Sequence, residues 1–243
     1  MEIKHSTKLY LIFLLLILSV FSSDKGIVAS TSWVGAIAEA AGADEVVVLA
    51  PFELRHPPEY DYRPQDVIKV LEADHIVWAG YEPFIKKLKT AYPEIEEKLV
   101  KVRTTNIPDN LVSMTRMLAE KFNTQKHQQN WEKRFLKEID SFKERAFQGD
   151  VANKKVAVSI HQNEFITWLG FDVVYVFGQN QITPSDVAKI LELNPEFIID
   201  NYNSLDGKVL ADNSQYVVLF NFPTKQYPGI IEVMQENMDR LGL

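Results

Sequence analysis

Apolar positions along the chain alternate between two signals: short runs of β-branched residues, and longer stretches with apolar residues three and four apart. Gly26 to Ser30 predicts a strand, and Thr31 or Ser32 can cap a helix from Trp33 to Ala41 that Gly42 ends. Glu45 to Ala50 predicts a second strand, apolar on both faces as in a buried parallel sheet. Pro64-Gln65-Asp66 opens a helix. Proline suits a first turn whose N–H has no partner, an early aspartate complements the helix dipole, and Val67, Val70 and Leu71 then share one face. Strands at Ile76 to Trp78 and Leu99 to Val102 flank a helix from Phe84 to Ala91. No strand signal appears from Pro108 to Phe147. Met114, Met117, Leu118 and Phe122 form one helical stripe and Trp131, Phe135, Leu136, Ile139 and Phe142 another, with Asn123-Thr124 between them. This stretch reads either as a helical hairpin or as a long helix bridging two lobes. Strands return at Val156 to Ile160, Val173 to Phe177, Phe197 to Ile199 and Val217 to Phe220, and an amphipathic helix from Ile230 to Leu241 closes the chain. Strands alternating with helices predict an α/β fold with mainly parallel sheets flanked by helices.

One helix is written twice. Pro64-Gln65-Asp66-Val67-Ile68-Lys69-Val70-Leu71-Glu72 reappears 120 residues later as Pro184-Ser185-Asp186-Val187-Ala188-Lys189-Ile190-Leu191-Glu192, and each copy runs into an apolar strand. This internal duplication predicts two related lobes. The expected organisation is a leader over residues 1–23, an N-terminal lobe over 24–106, a helical bridge over 107–150 and a C-terminal lobe over 151–243.

Composition narrows the partners. A net charge of −7 argues against nucleic acid, which calls for a basic footprint. With no cysteine there is no disulfide framework and no thiolate site, so any metal would rest on His, Asp, Glu or amide oxygen. Lys4 and Lys8 precede an apolar run from Leu9 to Phe21, short of the roughly 20 residues that span a bilayer. That pattern predicts a secretory signal peptide cleaved near Ser22 to Asp24, or failing cleavage an anchor, and in both cases an extracytoplasmic globular part.

Ligands of open parallel sheets bind beyond the carboxyl ends of the strands. His161 follows a strand directly, Asp200 and Asn201 end another, Asn221 lies just past the last, and His56 sits on the loop after the second strand. Lobes that face each other would bring His56 and His161 together across a cleft. Tyr60, Asp61 and Tyr62 either line that cleft or pin its loop. No phosphate-binding glycine loop, Gly-x-Ser-x-Gly elbow or His-Glu-x-x-His motif is present. A binding protein rather than an enzyme is expected, with an extracytoplasmic hydrolase as the competing class.

The order of these features resembles the metal-binding solute receptors of ABC importers, the zinc and manganese receptors of the helical-backbone type. It runs from the His56 loop through Glu59-Tyr60-Asp61-Tyr62-Arg63-Pro64-Gln65-Asp66-Val67 to Gly80-Tyr81-Glu82-Pro83-Phe84. It continues through the strandless middle and His161 to the tail from Tyr227 to Leu241. The resemblance covers about Gly26 to Leu243. It implies two α/β lobes joined by a long backbone helix, a divalent metal ion (zinc or manganese) as the transported ligand held between them, an ABC permease as membrane partner, and a monomer. A metal chelate such as a siderophore or corrinoid is the alternative cargo. Carried onto this chain, the ligand positions fall at His56 and His161. Alignment from Pro64 places the first nearer Pro58. The second family histidine meets Asn106-Ile107-Pro108-Asp109-Asn110, and the carboxylate position meets Asn221. Asp109 or Asp200 would have to complete the set, because zinc takes about four ligands.

Overall fold

The computed structural model describes residues 26–178, 180–212 and 214–243. The leader therefore lies outside the described residues. Two four-stranded parallel sheets form the framework. The first is ordered β2-β1-β3-β4, with β1 Ile27–Ala29, β2 Val46–Val48, β3 His75–Trp78 and β4 Leu99–Lys101. The second is ordered β6-β5-β7-β8, with β5 Lys155–Ser159, β6 Asp172–Phe177, β7 Phe197–Asn201 and β8 Gln215–Leu219. Within each sheet the first, second, third and fourth strands hold the same places, so the repeat seen in the sequence extends to topology. β2 departs from expectation: it is an edge strand with Val47 exposed, because only β1 pairs with it.

Helices α1 Ser32–Ala40, α2 Pro64–Glu72 and α3 Pro83–Ala91 belong to the first sheet, and α6 Asn163–Leu169 and α7 Pro184–Leu193 to the second. Between the sheets run α4 Pro108–Phe122 and α5 Gln125–Gln148, and α8 Ile230–Arg240 ends the fold. The middle is both things anticipated of it. Asn123, in the left-handed conformation at φ 58°, breaks the stretch into an antiparallel pair. The 24-residue α5 then touches α1 on one side and α6 and α8 on the other.

The duplicated helix is held the same way in both copies. At the third helical position Asp66 accepts hydrogen bonds from the Arg63 N–H (2.9 Å) and the Tyr60 hydroxyl (2.6 Å). Asp186 accepts from the Thr183 N–H (2.8 Å) and hydroxyl (2.7 Å) and from the Tyr175 hydroxyl (2.7 Å). Each aspartate satisfies a donor that the helix start leaves orphaned, and each tyrosine fastens the helix to its lobe. These bonds, Tyr175 foremost, hold the Asp186 carboxyl down at about 2.

Strand pleating divides the core. Val28 and Ile76 point to an outer cluster with Val70, Phe84, Ile85 and Leu88, and Ala157 and Ile198 to a second with Phe177, Ile190 and Leu210. Their neighbours Ala29, Val77, Val156, Val158 and Ile199 face inward. There they join Trp33, Ile37, Leu118, Phe135, Phe142, Met234 and Met238 in one continuous core shared by both sheets. The lobes thus share one core along their helical side, and a cleft lies between them at the carboxyl ends of the strands.

Candidate metal centre

A cavity of about 510 Å³ lies in that cleft, lined from one side by Arg55, His56, Pro58, Glu59 and Tyr81 and from the other by His161, Gly178, Asn201, Asn203, Ser204, Asp206 and Asn221. His56 precedes the short 3-10 turn Pro57–Glu59, where two prolines stiffen the loop and its side chain is exposed. His161 follows β5 in the turn before α6 and is also exposed. The two imidazoles therefore line one space although 105 residues separate them in sequence.

Three ties cross the cleft beside this space. The Asn203 Nδ2 donates to the Arg55 carbonyl (2.8 Å), the Ser32 hydroxyl donates to the Pro223 carbonyl (3.1 Å), and Lys225 pairs with Glu53. The Lys225 hydrogen bond lowers the Glu53 carboxyl below its ordinary range. The second-lobe wall is an amide-rich loop. Asn201 Oδ1 accepts from Gln162 Nε2 (3.2 Å), and its Nδ2 donates to the Ser204 hydroxyl (3.2 Å). Asn221 is set in place from behind. Asn237, fully buried on α8, accepts from the Phe220 N–H and donates to the Phe220 carbonyl, both at 2.8 Å. Gly178, at φ +90°, keeps the wall thin: a Cβ there would stand 3.2 Å from Asp206 Oδ2 and 3.5 Å from Ser159 Oγ.

The other candidates stand elsewhere. Asp200 is fully buried but does not line the cavity, because it shares the outward pleat of Ile198 rather than the inward pleat of Ile199 and Asn201. Its carboxylate accepts from the Asn201 N–H (2.8 Å), the Gly207 N–H (2.9 Å) and the Tyr216 hydroxyl (2.6 Å), which shapes the loop carrying Asn203 and Asp206. Burial raises its pKa despite those bonds, and burial with the Asp200 bond raises that of Tyr216. Asp109 lies exposed in the first turn of α4, away from the cavity lining, where it complements the helix dipole. Asn110 is spent on the Arg103 and Thr105 carbonyls (3.0 and 2.8 Å). In the first lobe the buried Glu82 is likewise committed, to the Ser30 hydroxyl and the Ala79 and Tyr81 N–H groups.

Sequence reasoning missed Arg55, Glu59, Asn203, Ser204 and Asp206 as cavity residues. The run Asn201-Tyr202-Asn203-Ser204 directly after a buried strand was the available signal. Among the described residues, no three His, Asp or Glu side chains gather closely enough to hold one ion. The cavity offers two imidazoles, two exposed carboxylates and a set of neutral amides, a weaker inner sphere than the four ligands zinc takes in closed sites.

No protein-family model matches the chain, and no curated protein does. Solved structures do. The manganese-bound periplasmic metal-binding protein of Candidatus Liberibacter asiaticus superposes at a TM-score of 0.67 and 17% identity, over 89% of this chain and 98% of that one. Its cadmium-bound form gives 0.66 over the same shares. A zinc-bound variant of AdcAII from Streptococcus pneumoniae gives 0.64 at 14% identity, covering 89% of this chain and 99% of its own. The chain thus has the two-sheet, helix-bridged fold of these metal-binding proteins.

Proposed function

We propose that this chain is the extracytoplasmic receptor of an ABC importer, capturing a divalent metal ion of the zinc or manganese class and delivering it to a membrane permease. The observation that carries this reading is the convergence of His56 and His161, from opposite lobes, on one cavity. Neutral imidazole suits zinc, the carboxylate and amide oxygens of the same cavity suit manganese, and a site divided between two lobes reports occupancy through their relative position. The fold shared with periplasmic metal-binding proteins supports the reading, as does the leader pattern. On this view residues 24–106 and 151–243 are the two halves of the receptor, residues 107–150 the strut between them and residues 1–23 the export signal. Binding alone is required, with no bond made or broken. The test is calorimetric titration of the mature protein with Zn²⁺ and Mn²⁺, alongside His56→Ala and His161→Ala. Each substitution is expected to weaken binding at least tenfold. Unchanged affinity in both variants would refute the assignment.

A further inference from the structure

The cavity is built for more than an ion. Its volume of about 510 Å³ falls among sites for small organic molecules, whereas a single water occupies roughly 30 Å³ of the liquid. Its polar wall also holds groups that a bare cation would not use. Arg55 lines the cavity, and a guanidinium at this rim offers a forked donor to a carboxylate. Opposite it, Asn203 is nine-tenths buried and its Oδ1 has no partner. The orientation of that amide is unambiguous, because its Nδ2 donates to the Arg55 carbonyl and a carbonyl can only accept. The side-chain oxygen of Asn221 is also buried and unpaired, and in the same wall so is that of Gln162, behind Asn201. Buried acceptors without donors are uncommon in folded proteins, and those beside a cavity are free to accept from a ligand's N–H or O–H groups.

Resting on the receptor reading above, we propose that the cargo is a metal already held by a small chelator of the amino-acid type. His56 and His161 supply two inner-sphere nitrogens and the chelator supplies the remaining donors, which brings zinc to its usual four. Arg55 takes the chelator's carboxylate, and the carbonyl oxygens of Asn203 and Asn221 accept hydrogen bonds from its N–H groups.

Equilibrium dialysis with radiolabelled histidine as the chelator tests this, with zinc measured in the same samples. Wild-type protein is expected to retain histidine and zinc together at about one each, and no histidine when zinc is omitted. Arg55→Gln leaves the Arg55 carbonyl, and so the Asn203 tie, in place. It is expected to lower histidine retention about tenfold while aqueous zinc is held within twofold of wild type. Asn221→Ala is expected to lower histidine retention as well. Wild type that retains zinc while histidine merely strips it away overturns the chelator proposal and leaves the receptor reading standing. Equal loss of aqueous zinc in Arg55→Gln also overturns the proposal. Wild type that retains neither zinc nor histidine overturns both.

Discussion

Asn237 offers the sharpest test of how the fold places the cavity wall. Its side chain is fully buried on α8 and forms paired 2.8 Å hydrogen bonds with the N–H and C=O of Phe220. Those two groups lie just past the end of β8, where the strand ladder stops serving them, and the next residue is Asn221 at the cavity. Asn237→Ala removes both partners at once. A buried donor or acceptor left unpaired costs about 1–3 kcal/mol, so the two together are expected to cost about 3 kcal/mol once partial relaxation and water access are allowed. Urea denaturation followed by far-ultraviolet circular dichroism measures this directly, with the midpoint falling and the slope unchanged. Asn237→Asp keeps the acceptor for the Phe220 N–H but loses the donor, and it also brings a charge into the core, so it too is expected to destabilise. The Phe220–Asn221 segment is also expected to lose its fixed position, weakening metal binding in the folded Ala variant. A change in unfolding free energy below about 0.5 kcal/mol would refute the claim that this amide pair anchors the wall.

Three further outcomes follow from single residues. Gly207→Ala would place a Cβ 2.7 Å from Phe177 Cζ and 3.2 Å from Ile198 Cγ2, inside a packed cluster. It is expected to destabilise by about 1–3 kcal/mol in chemical denaturation. Glu39, exposed on α1 but partly desolvated by its neighbours, has its carboxyl pKa raised, first by that desolvation and then by Glu232 on α8. The charged form is therefore the unfavourable one: the stabilising contribution is full below the unfolded value and is lost as pH rises through the folded value. Glu39→Gln is expected to raise the Tm modestly at pH 7 and to leave it unchanged in acid, with added salt narrowing the difference. Asp66 carries the opposite sign. Burial alone would raise its pKa, but hydrogen bonds from Tyr60, the Arg63 N–H and Lys69 lower it. Its contribution holds above the unfolded value and fades as pH falls through the folded one. Asp66→Asn is expected to lower the Tm at neutral pH, and a thermal melt series should show the gap closing in acid.

The parts of this protein that local chemistry determines were readable from its residues. The paired Pro-x-Asp-Val helices announced themselves because a proline in the first turn and an aspartate at the third position are local devices, and the structure adds only the tyrosine that each aspartate engages. Asn123 was placed between two helices for the same reason. What depended on tertiary pairing was not readable. The valines of β2 looked fit for a sheet interior, yet which strand lies at an edge is decided by neighbours far away in sequence. The cavity wall turned on a single step of the strand pleat. Asp200 and Asn201 are adjacent and both polar, but the register of β7 on β5 sends the first toward Tyr216 and Gly207 and the second to the cleft. Asn237 fell in phase on an amphipathic helix, while its service to Phe220 needed the packing of α8 on β8. Arg55 and Asn203 gained their meaning only from each other, across 148 residues of chain.

The central claim is that imidazoles from the two lobes jointly hold the metal. Zinc K-edge X-ray absorption of the zinc-loaded mature protein tests it most directly, because imidazole rings give a recognisable outer-shell pattern. The account predicts two such rings in wild type, one in His56→Ala or His161→Ala, and none in the double variant. A spectrum without imidazole scattering in wild type, or one unaltered in the double variant, would contradict it.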